Sequence, residues 1–211
     1  MRKATRIVAL ALGVFAGFGG PEHGYFEILQ GHVRPETLMI ASIGPPCDPE
    51  QVWNLCEPAM TVIPSFLITG IVATVLGLFT MVWAAAFIHK KYGGPVMILL
   101  SIALLLFGGG IFPPAIGVIA GVVATRINAP LNRQPGRVLS FLARLWPWPL
   151  VAFFVWAFGQ FLVGHYFNEF LMASGFLVPL VMVGLLALSI LCAYASDVEA
   201  GAESHRARSL S

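Results

Sequence analysis

The sequence predicts an all-α fold, a polytopic transmembrane helical bundle of about six membrane segments. Composition is the first reason. Of 211 residues, 58% are hydrophobic and only 10% are charged, whereas a soluble domain carries roughly 25% charged residues. Clustering is the second. Residues 95–125 hold no charge over 31 positions, and residues 149–164 and 175–196 are also uncharged. Runs of about 18 or more apolar residues read as membrane helices, because about 20 residues rising 1.5 Å each cross a hydrocarbon core of about 30 Å. The third reason is the side on which Lys and Arg fall, given below.

The first segment covers residues 7–30 and follows Arg2, Lys3 and Arg6. Ala9, Gly13, Gly17, Gly20 and Gly24 form one small-residue stripe along a helix, the kind of face that lets a second helix approach closely in a membrane. Gly17-Phe18-Gly19 with Pro21 beyond it is a poor likeness of a signal-peptidase site, and a cleaved signal has no need of a packing stripe. The first segment is therefore expected to be retained. The second segment, 62–88, repeats the spacing at Gly70, Ala73, Thr74 and Gly77.

Residues 95–125 divide into limbs 95–110 and 111–125 at GGGIFPP, residues 108–114, because three glycines and two prolines within seven residues punctuate a helix. The fifth segment is 149–166 and the sixth 175–195. The single transmembrane domain spans 1–198, with a polar cytoplasmic tail at 199–211. Between the fourth and fifth segments, RVLSFLARL at 137–145 reads either as an amphipathic helix along the inner surface or as a short exposed turn.

Lys and Arg accumulate on the cytoplasmic side of a membrane protein. If residues 95–125 turn back on themselves, eleven of the twelve lie inside and only Arg34 outside; if they cross once, five lie inside and seven outside. The hairpin is the better threading. It places both termini in the cytoplasm, the protein in the cell membrane, and loop 31–61 outside. Each limb is short for a full crossing, so a re-entrant hairpin and two short spans both remain open.

Loop 31–61 carries Cys47 and Cys56. Its compartment favours a disulfide between them, worth roughly 2–3 kcal/mol for so short a loop. The spacing is not the CxxC of reactive dithiols, and a cysteine-only metal site would need more ligands. Cys192, in the sixth segment, reads as an apolar filler.

Two pentapeptides carry most of the polar chemistry: HGYFE, His23 to Glu27, and HYFNE, His165 to Glu169. On a helix each His and Glu would share a face. Topology places both pairs near the outer surface on segments running the same way, and Gln160 and Asn168 add polar groups to the second pair. Polar residues at membrane depth are functional candidates. Two His and two Glu could hold a divalent metal or, through the His pair, a haem, and a His–Glu chain could relay protons. The plain alternative is that each His meets its own Glu in water, which contributes under about 1 kcal/mol and needs no ligand. Neither metal nor cofactor is selected by the residues. Phosphate-loop, HExxH, GxSxG and CxxC patterns are absent from the sequence, and no basic run with interleaved aromatics points to nucleic acid.

The stretches PEHGYFEILQG, CEPAMTVIPSFLITG and GGGIFPP…GVVATRINAPL resemble those of small multi-pass membrane proteins of bacteria and archaea with no assigned activity. The resemblance covers roughly residues 10–130. It implies retention of the first segment and carries over no catalytic residue. Three functional readings follow. The first is a non-enzymatic accessory or oligomeric membrane component, with the lipid bilayer, a second copy or a partner subunit as its contacts and helix packing through Gly13, Gly17, Gly20 and Gly24. The second is a small transporter or channel, suggested by the GGGIFPP break. The third is a membrane oxidoreductase with metal, haem or quinone at the level of His23, Glu27, His165 and Glu169.

Overall fold

The computed structural model describes residues 1–41, 57–131 and 133–209. Cys47 and Cys56, and with them the expected disulfide, lie outside the described residues. The described residues are mostly helical and divide by contacts into two compact units, Ala9–Thr125, and Met1–Val8 together with Arg126–Ser211. The helices are α1 (Lys3–Gln30), α2 (Phe66–Phe87), α3 (Gly93–Leu106), α4 (Phe112–Ala124), α5 (Arg137–Leu145), α6 (Trp148–Tyr166), α7 (Asn168–Ser174) and α8 (Leu177–Ser209). Three are long and apolar enough to cross a membrane: α1, α2 and residues Leu177–Ser204 of α8. Helices α5 and α6 meet the same standard only as a pair, bent by 47°. Helices α3 and α4, of 14 and 13 residues, reach only about 20 Å each.

In the unit Ala9–Thr125, α1 and α2 pack through their smallest residues. Beyond Phe66 at its start, the buried residues of α2 are Thr69, Gly70, Ala73, Gly77, Thr80 and Ala84, while Ile71, Val75, Leu78, Phe79 and Val82 are exposed. Small side chains inside and large ones outside invert the pattern of a soluble helix, and suit packing in lipid, where burying a Leu gives no hydrophobic gain. The seam is reciprocal. A Cβ added to Gly17 would meet the Gly77 carbonyl at 2.8 Å, and one added to Gly77 would meet the Gly17 carbonyl at 2.5 Å; Gly24 and Gly70 show the same exchange, each at 2.5 Å. The Cα hydrogens thus face carbonyls across the seam, a weak but repeated attraction. Pro21 inside α1 cannot donate to the Gly17 carbonyl, and that carbonyl is among those turned toward α2. Buried hydroxyls bond back along their own helices, Thr80 to the Leu76 carbonyl at 2.7 Å and Ser101 to that of Met97 at 2.8 Å, which satisfies them without water.

Helices α3 and α4 are antiparallel neighbours, Gly94 lying against the Gly121 carbonyl and Gly117 against Ser101. Their connection uses left-handed backbone at Gly108 (φ +90°) and Gly110 (φ +81°), a conformation open to glycine at little cost. Pro113 and Pro114 then occupy the first turn of α4, where a missing N–H is tolerated. Strands β1 (Met39–Ala41) and β2 (Pro58–Met60) pair antiparallel, Ile40 opposite Ala59. The chain leaving β2 is stitched to the α3–α4 turn: Gly108 N–H donates to the Met60 carbonyl at 2.8 Å, and Val62 N–H to that of Leu106 at 3.1 Å.

In the second unit, Asp197 of α8 binds the start of α1. Its carboxylate accepts from the Ala4 N–H at 3.0 Å, the Thr5 N–H at 2.8 Å and the Thr5 hydroxyl at 2.7 Å, which satisfies amides a helix leaves open at its N-terminus. Arg2 donates to the carbonyls of Ala129 and Pro130 and lies over the Tyr194 ring. Helix α8 continues through the residues read from sequence as a tail, as far as Ser209. Cys192 is a buried free thiol.

Candidate functional site

His23 and Glu27 stand one turn apart on α1, and both are completely buried, at 0% exposure. That removes the plain reading of a solvated His–Glu couple for this pair. What covers them is the α3–α4 turn. A Cβ placed on Gly108 would lie 2.6 Å from both Glu27 carboxylate oxygens, and one placed on Gly110 would collide with His23 Nε2. The two glycines therefore serve twice: they make the turn, and they leave the space that the two side chains fill. Thr69 of α2 completes the wall, since the same Gly108 position abuts its methyl group. The Thr69 hydroxyl is 2.9 Å from that of Thr61, which follows β2.

Glu57, immediately before β2, reaches the site from the loop side, with Oε2 3.5 Å from His23 Nε2. Glu22 lies within electrostatic reach of both His23 and Glu57. Three carboxyl groups and one imidazole thus gather at one end of α1. Their environments differ. Glu57 keeps partial contact with the surface, whereas neither carboxylate oxygen of Glu27 has a hydrogen-bond partner among the described residues. An ionised carboxylate left this way would bear the desolvation cost of a buried charge with nothing in return. Among the described residues, no group of three or more His, Cys, Asp or Glu is placed to hold a metal ion.

The second polar group belongs to the other unit. His165 stands in α6 and Glu169 in α7, and the helix breaks between them at Phe167 (φ −134°, ψ 45°). The expectation of one continuous helix through this pair is corrected at the backbone, and the i, i+4 spacing argument holds only while a helix continues. Asn168 opens α7. Gln160 lines an apolar groove of about 480 Å³ with Val155, Trp156 and Leu171. Its amide donates to the Ala157 carbonyl at 3.2 Å and lies 3.9 Å from the Met182 sulfur.

The sequence singled out His23 and Glu27 and marked the break at residues 108–114, but gave Glu57, in loop 31–61, no part in the site. One signal linked them. The charge map puts the hairpin turn, the end of loop 31–61 and the His23–Glu27 pair at the same outer level. Comparison with protein-family models, curated proteins and solved structures returns no match.

Proposed function

We propose that the protein is a small transport protein of the cell membrane that carries a proton on Glu27. The observation that carries this reading is the carboxyl group of Glu27, fully buried on a membrane helix, with no hydrogen-bond partner among the described residues and pressed against the turn of a broken helical pair. Ionisable residues on membrane segments are functional candidates by default, and ion and proton paths are among the roles they mark. A carboxyl in such surroundings calls for a proton or a cation. His23, one turn away and adjoining the more accessible Glu57, supplies the next group along a path toward the surface.

The short helices support the same reading. Interrupted segments meeting at a site are a recurring device of transporters, and irregular backbone at membrane depth is tolerated where it is buried in protein or lines a cavity. Neither α3 nor α4 contains an ionisable residue. The ionisable groups come instead from α1 and meet the hairpin at its turn. In this reading α1, α2, α3, α4, α6 and α8 are the six membrane segments, with α3 and α4 as a re-entrant hairpin. Both termini are cytoplasmic and loop 31–61 is outside. The accessory-subunit reading loses its main support, because the stripe Gly13, Gly17, Gly20 and Gly24 already faces α2 and its neighbours within the same chain.

The test is proton flux into proteoliposomes holding a pH-sensitive dye, driven by a potassium diffusion potential. The wild-type chain is expected to exceed protein-free vesicles, and Glu27→Gln to return to their rate while still eluting as a folded species. Flux equal to that of empty vesicles, or a Glu27→Gln variant as fast as wild type, would remove the proposal.

A further inference from the structure

A different part of the molecule carries a second conclusion. Helix α5 has no buried residue. Its half-covered side packs against α8, and its free side shows Val138 at 73% and Phe141 at 62% exposure, continued by Trp148 at 69%. Beside these lie Arg137 and Arg144, both exposed, with Arg126 and Arg133 exposed on the chain leading in. No Asp or Glu occurs anywhere from residue 58 to residue 168, and among the described residues none of the four guanidinium groups makes an ion pair. Asp197, the buried acid of the neighbouring α8, is engaged by Ala4 and Thr5.

We infer that this face is a docking surface for anionic phospholipid headgroups. The chemistry selects the partner. Guanidinium forks match phosphate oxygens in pairs, and apolar side chains beside them enter the boundary between headgroups and acyl chains, as in helices that lie in a membrane surface. A soluble anion would use the arginines and leave Phe141, Val138 and Trp148 in water. An anionic lipid uses both, and α5 leads directly into the apolar α6, so the surface already lies where headgroups are.

Native mass spectrometry of the full chain in mild detergent, with equal amounts of phosphatidylglycerol and phosphatidylcholine of matched acyl chains, reads the ratio of the two lipids retained. Phosphatidylglycerol is expected to be favoured by up to about fivefold for each engaged arginine. The preference should fall toward parity in the variant carrying Arg126→Gln, Arg133→Gln, Arg137→Gln and Arg144→Gln. Lysine at the same four positions should keep the part of it that charge alone supplies, above the glutamine variant and below the wild type, which separates charge loss from misfolding. Phe141→Ser should lower retention of both lipids. Parity in the wild type, an undiminished preference in the glutamine variant, or displacement of the lipid by excess inorganic phosphate would each overturn the inference, the last by revealing a site for a free anion.

Discussion

Gly108 is the residue on which the site depends most visibly. Two costs fall on any replacement: a backbone at φ +90°, and a side chain directed into Glu27 and Thr69. They can be measured apart. Gly31 has φ +72° with no atom within 4 Å of an added Cβ, so Gly31→Ala reports the backbone cost alone, about 1 kcal/mol. Gly108→Ala should lose that and a further ~1–3 kcal/mol for overpacking, and proton flux with it. Thermal unfolding of the two variants in the same detergent checks the difference, and equal losses would mean that the turn does not press on Glu27. The residue scale also shows where sequence reading stopped. His23 and Glu27 were legible because their spacing is helical and local. Glu57 was not, because a contact between residues 23 and 57 depends on how β2 leads the chain back to α1, and no local pattern encodes that.

Among the elements, the seam between α1 and α2 was half legible. The stripe on α1 is a periodicity and can be read directly; that its partner is Gly70, Ala73 and Gly77 of the next helix is a matter of packing. Because the seam brings backbone against backbone, there is little room to yield. Gly17→Val or Gly77→Val is expected to destabilise the protein by at least ~1–3 kcal/mol, seen as loss of the folded peak in size-exclusion chromatography. Val75→Ala on the exposed face of α2 should leave that peak unchanged. The break at Phe167 was not legible at all. Residues 165–169 contain neither Gly nor Pro, the residues that punctuate helices from within, so the helical spacing of His165 and Glu169 looked sound. Helix α5, by contrast, follows its amphipathic pattern directly.

At the scale of the whole molecule, charge and hydropathy were the informative signals. They marked the positions of α1, α2, α3, α4 and α6 to within a few residues, and the start of α8 but not its end, which runs 14 residues past the sixth segment to Ser209. They could not decide which of these cross a membrane, since α3 and α4 are too short for length to settle it. Orientation can be tested without a structure. In a chain with Cys47, Cys56 and Cys192 replaced by serine, Glu36→Cys should react with a membrane-impermeant maleimide added to intact cells, and Ser204→Cys only after lysis; the reverse pattern would invert the proposed topology. The clamp on the start of α1 was invisible to charge counting, because Asp197 and Thr5 are 192 positions apart. Asp197→Asn removes the charge that complements the α1 N-terminus and should lower stability by about 1–2 kcal/mol in thermal unfolding.

The most direct test concerns Glu27 itself. Carbodiimides modify carboxyl groups that bear a proton, and they come in apolar and water-soluble forms. In proteoliposomes, peptide mass spectrometry should find Glu27 labelled by dicyclohexylcarbodiimide and untouched by a water-soluble reagent that labels the exposed Glu36, with proton flux lost in step with Glu27 labelling. Labelling of Glu27 by the water-soluble reagent at the rate of Glu36, or full labelling with flux intact, would contradict a proton carried on a carboxyl held away from water.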